Sequence, residues 1–124
     1  MPGEFYPYFL NDRVIFVGSD TQTFSFTISA GDEMFVDELR LLSTGAFTIG
    51  EIKDESGKSY CSADAANPIP SGIFPTANSH TIPPIKLPTS LHIDPSGKIT
   101  VTVTDTSAAA NTVDIVLIGR RRTA

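Results

Sequence analysis

Two stretches of the chain alternate apolar and polar residues with a period of two. In residues 23–29, Phe24, Phe26 and Ile28 fall on one side, and Thr23, Ser25, Thr27 and Ser29 on the other. In residues 98–105, Ile99, Val101 and Val103 alternate with Thr100, Thr102 and Thr104. This is the period of an antiparallel strand buried on one face, and β-branched threonine suits the wet side of a pleated surface. Less regular apolar runs predict further strands at 13–17, 33–42, 46–53, 58–62, 90–94 and 112–119. The run 33–42 (EMFVDELRLL) is also rich in helix formers. Turns on both sides, at Ala30-Gly31-Asp32 and Ser43-Thr44-Gly45, favour a strand there. Asp54-Glu55-Ser56-Gly57 predicts a hairpin turn, and Pro95-Ser96-Gly97 a tight turn between two strands.

About eight strands separated by turns predict an all-β fold, a two-sheet antiparallel sandwich that is jelly-roll-like. An immunoglobulin-like sandwich is the alternative, but there is no Trp and only one Cys. At 124 residues the chain has the size of one domain, 1–124. Three segments stand apart from the strand pattern: an aromatic N-terminal arm (1–12), a Pro-rich loop (67–88) and a basic C-terminal tail (120–124). The loop holds six of the nine prolines, which excludes a central strand. Its apolar members, Ile73, Phe74 and Ile82 among them, pack either on the chain's own sandwich or on a neighbour. The same two options stand for Phe5, Tyr6, Tyr8 and Phe9, because so aromatic a segment is not left bare in water.

Charged residues make up only 19% of the chain, with a net charge of −5. The acidic side chains lie mainly in residues 1–64, eleven against four basic, whereas 65–124 holds three acidic and five basic. Such a surface disfavours nucleic acid as a partner. Arg120, Arg121 and Arg122 read either as a solvated tail or as contacts to phosphate or an acidic protein surface. No apolar run is long enough to span a membrane, and Glu4 stands where a signal peptide needs a basic region.

Candidate chemistry is sparse. His80 and His92 stand in no metal-ligand spacing and Cys61 has no cysteine partner, so neither a metal nor a cofactor is expected. Cys61 reads as a small buried hydrophobe and His92 as a surface imidazole on a strand. No nucleophile elbow, P-loop or dinucleotide fingerprint is present. The acidic neighbours Asp32 with Glu33, and Asp37 with Glu38, are expected on opposite faces of a strand, not converging on a substrate. No catalytic residue is assigned, and an enzyme is not expected.

The order of these features resembles that of small tailed-bacteriophage virion proteins of the jelly-roll capsid cement, or decoration, type. The pieces that carry the resemblance are the aromatic run 5–9, the alternating 24–28, the acidic-aromatic 34–39, the turn 54–57 and the apolar run 113–119 ending in Gly119. It covers most of the chain at the level of pattern; the Pro-rich stretch and the arginines have no counterpart. The resemblance implies a structural virion protein on the outside of a capsid, made in the bacterial host cytoplasm. It would cement the shell by bridging subunits of the major capsid protein, as a homo-oligomer (dimer or trimer), with no nucleic acid and no membrane. Phe5, Tyr6, Tyr8, Phe9, Ile73, Phe74, Ile82, Arg120, Arg121 and Arg122 are the expected partner-binding residues. A tail or neck component, a carbohydrate-binding sandwich and a small hydrolase on the same scaffold are the alternatives.

Overall fold

The structure is a computed structural model, and it describes residues 3–61, 67–70 and 85–123. The described residues form eight strands and no helix: β1 (Tyr6–Phe16), β2 (Thr21–Thr27), β3 (Asp32–Ser43), β4 (Phe47–Asp54), β5 (Ile69–Pro70), β6 (Ile85–Ile93), β7 (Lys98–Asp105) and β8 (Asn111–Thr123). They make two antiparallel four-stranded sheets, ordered β1-β8-β3-β6 and β2-β7-β4-β5. The pairs nest: β1 with β8, β2 with β7, β3 with β6 and β4 with β5. The chain is thus one long hairpin whose paired strands pass alternately from sheet to sheet, which is the jelly-roll arrangement.

The inward parity of each strand fills the space between the sheets. Phe24 and Phe26 from β2, Ile99, Val101 and Val103 from β7, and Val113, Ile115 and Leu117 from β8 are all at most 5% exposed, with Phe16, Met34, Val36 and Phe47 beside them. Alternation predicts the members from β2 and β7 directly, whereas the continuous apolar run 115–118 leaves the parity of β8 to its pairing. Alternation fails in β3 and β4 because each carries a bulge. In β3 the register with β8 slips between Val36 and Glu38, making Asp37 the extra residue. Met34 and Val36 face inward before it, Leu39 and Leu41 after it. This spacing of two, three and two explains why EMFVDELRLL looks half helical. It also corrects the expectation for Asp37 and Glu38: the bulge resets the alternation there, and both stay outside the core. In β4 the slip lies between Ile49 and Glu51, at Gly50.

Four further expectations change. The aromatic segment is not an arm, since Tyr6–Phe16 pairs with β8 along its whole length. The arginines are not a tail, since β8 runs through them to Thr123 and Gly3 N–H still donates to the Thr123 carbonyl at 2.8 Å. Of the expected strand 58–62, the described residues 58–61 form none, and a single bridge joins Ser59 to Lys53; residue 62 lies outside the described residues. The turn before it is as expected, with the Asp54 carboxylate accepting from the backbone N–H groups of Ser56 and Lys58. Both ends of the Pro-rich stretch are strands, not loop. Pro70 and Pro88 lie in β5 and β6, and each of these strands closes the edge of a sheet, where a missing N–H costs no ladder bond.

Candidate functional site

The two outer faces of the sandwich differ. On the β2-β7-β4-β5 sheet the outward residues of β2 and β7 are hydroxylic except Lys98, with Thr21 opposite Thr104, Thr23 opposite Thr102 and Ser25 opposite Thr100. On the β1-β8-β3-β6 sheet the register gives mixed rows. Phe9, Ile118, Glu38 and Lys86 make one row across all four strands, and Asn11, Val116 and Arg40 a second. Arg13, Asp114 and Leu42 form a third, in which Arg13 Nε donates to Asp114 at 2.7 Å. Phe9 and Ile15 are each 64% exposed.

Beyond the Phe9 row this face ends in a ladder of arginines and rings. Arg120 of β8, Phe35 of β3 and His92 of β6 share one row. The Phe35 and His92 rings stack with centroids 4.4 Å apart. Phe5 meets Phe35 edge-on at 5.7 Å. The guanidinium groups of Arg120 and Arg122 lie 5.2 Å and 4.3 Å from the Phe5 ring, within cation–π range. Arg120 Nε also donates to Asp37, and Arg122 Nε to Glu33, each at 3.1 Å. Glu33 Oε1 lies 2.8 Å from His92 Nε2. The His92 hydrogen bond, against the opposing effect of burial and aided by Arg122, holds the Glu33 carboxyl below the usual range. Asp37 is lowered in the same way by the Ser90 hydroxyl and by Arg120. These charges are occupied with one another, so the ladder presents ring faces and guanidinium planes.

Strand alternation divides the expected binding residues. Phe9, Arg120 and Arg122 stand on the outer face, and Phe5 packs there just ahead of β1. Tyr8 and Arg121 have the opposite parity. Tyr8 packs against the core, and Arg121 lies 4.6 Å over its ring while binding Asp32 at 2.7 Å and the Ser29 hydroxyl at 3.1 Å. Arg121 therefore closes one end of the sandwich. Tyr6 meets Tyr8 edge-on but is 46% exposed. Ile73, Phe74 and Ile82 lie outside the described residues. His92 is a surface imidazole on a strand, as expected, and Cys61 is half-buried. Among the described residues no group of three or more His, Cys, Asp or Glu is arranged to hold a metal ion.

The sequence reading missed one cluster. Asp105 and Asn111 are 2% and 1% exposed at the other end of β8. The Asp105 carboxylate accepts from the N–H of Ser19 at 2.8 Å, the Ser107 hydroxyl at 2.7 Å and the Asn111 amide at 3.0 Å. Asn111 also donates to the Ala46 carbonyl and accepts from Gly45 N–H. Three loops are tied by two side chains. A signal was present for Asp105, which continues the inward parity of Ile99, Val101 and Val103 in a strongly alternating strand, where a polar residue must find partners inside.

Comparison with family models, with curated proteins and with solved structures gave no match.

Proposed function

We propose that the protein is a non-catalytic structural subunit of a bacteriophage virion. It docks on the outside of the capsid through the outer face of the β1-β8-β3-β6 sheet and cements the shell by bridging copies of the major capsid protein. The observation that carries the reading is the contrast between the two outer faces. One presents rows of paired hydroxyls along β2 and β7. The other exposes Phe9, Ile15, Leu42 and Phe5 beside guanidinium groups already paired with carboxylates. Exposed aromatic rings with arginine are the composition of protein interfaces. Paired charges at the rim keep such a face soluble and add register more than affinity. Jelly rolls serve viral shells as well as lectins and cupins, so the fold is compatible with this role without fixing it. The protein is made in the host cytoplasm and assembles on the particle as a dimer or trimer, with neither nucleic acid nor membrane as a partner.

The experiment is co-sedimentation with purified capsids of the tailed phage whose genome carries the reading frame. Saturable binding is expected, weakened about tenfold or more by Phe9→Ser, the loss of one aromatic anchor. Phe9 is largely exposed, so the melting temperature stays close to that of the wild type. A monomer that stays in the supernatant overturns the reading, as does a reading frame found only outside phage genomes. Retention on isolated tails instead of capsids replaces it with a tail or neck component.

A further inference from the structure

The opposite outer face carries a groove of about 600 Å³, with Thr102 and Thr104 of β7 on its floor and Thr48, Glu51 and Pro68 along one side. We infer that this groove is a binding site for a neutral, polyhydroxylated ligand, a short glycan segment lying across β7 and β4. The inference is independent of the capsid reading, since it uses the other sheet.

Three observations carry it. The β4 bulge puts a glycine in the groove, and a Cβ added to Gly50 would meet nothing nearer than the Thr102 carbonyl oxygen at 4.0 Å. The hollow exists because a side chain is missing where there is room for one. Next, the groove's hydrogen-bonding capacity is largely unspent. Thr21 and Thr104 bond each other at 2.7 Å. The hydroxyls of Thr48, Thr102 and Thr106 have no intramolecular partner among the described residues. A hydroxyl both donates and accepts, so a row of them matches the mixed donor and acceptor pattern of a sugar edge. Finally, among the described residues the only charge lining the groove is Glu51, which pairs with Lys53 at 3.1 Å. One balanced pair favours neither an anion nor a cation, and a carboxylate accepts well from adjacent sugar hydroxyls. The threonine methyls and the Pro68 ring offer contacts to the C–H faces of a sugar ring. With no aromatic ring among the described lining residues, binding is expected to be weak, in the millimolar range.

The test is a ¹H–¹⁵N NMR titration of the intact protein with cellotriose, maltotriose and chitotriose, with glycerol as a non-specific polyol. At least one trisaccharide should shift the amides of Thr48, Glu51, Thr102 and Thr106 saturably, with glycerol causing no saturable change. Thr102→Val removes one hydroxyl at constant shape and should weaken binding about fivefold, the worth of one neutral hydrogen bond. Gly50→Leu fills the hollow and should abolish the shifts. If that variant fails to fold, Thr102→Val alone decides. Absence of saturable shifts with all three sugars overturns the site. So do shifts reproduced by glycerol, or sugar affinity unchanged in Thr102→Val.

Discussion

Gly119→Ala is expected to destabilise the protein by at least about 3 kcal/mol, toward the upper end for overpacked interiors, lowering its melting temperature by roughly 10 °C. Gly119 lies in β8 between Tyr8 of β1 and Val36 of β3. A Cβ there would stand 1.9 Å from the Phe35 carbonyl oxygen and 2.9 Å from the Val36 Cα. Both atoms are backbone, so no rotamer change relieves the clash, and β3 is held between β8 and β6 on either side. The only relief is to part β3 from β8 at the bulge, which also displaces Phe35 and Arg120 from the ladder. Gly50→Ala is the control. It too sits at a bulge, but its added methyl meets only the Thr102 oxygen, at 4.0 Å, and its melting temperature should stay near that of the wild type. Thermal unfolding followed by circular dichroism separates the two, and equal losses would show that bulge flexibility, not the close approach, sets the cost.

The legible part of the fold was the part governed by period two. Residues 98–105 were bounded from sequence as β7, and the inward set of β2 and β7 followed from alternation alone. What escaped was set by contacts distant in sequence. Tyr6–Phe16 begins too far upstream to look like one strand, because Pro7, Asn11 and Asp12 interrupt its apolar pattern; pairing with β8 extends it. Arg120 and Arg122 look like a solvated end until β3 brings Asp37 and Glu33 beneath them, some 80 residues away in sequence. The bulges at Asp37 and Gly50 shift parity by one residue, and a strict alternation then assigns the following side chains to the wrong face. The binding residues were therefore recognised by type but not by direction: Phe9 and Arg120 face outward, whereas Tyr8 and Arg121 serve the interior.

Asn111→Ala is expected to cost about 3 kcal/mol, because it strips partners from several buried polar groups at once. The Asn111 side chain bonds Gly45 N–H at 2.9 Å, the Ala46 carbonyl at 3.1 Å, the Thr44 hydroxyl at 3.1 Å and Asp105 at 3.0 Å. The β3–β4 loop depends on it, and that loop has little slack, since a Cβ on Gly45 would lie 2.8 Å from the Ser107 Cβ. The loss at Asp105 has a signature in pH. The Ser107 hydroxyl, the Asn111 amide and the N–H of Ser19 all favour the ionised form and together outweigh burial, holding this carboxyl far below the usual range. A group depressed in the folded state stabilises the fold above its unfolded pKa, about 3.9 for aspartate, and that contribution is lost as pH falls below it. Asp105→Asn should therefore be most destabilised relative to the wild type near neutral pH, with the gap narrowing steadily below about pH 4. Urea unfolding between pH 7 and pH 2.5 measures the gap directly. A gap constant with pH would mean that Asp105 holds the three loops by shape and neutral hydrogen bonding, without its charge.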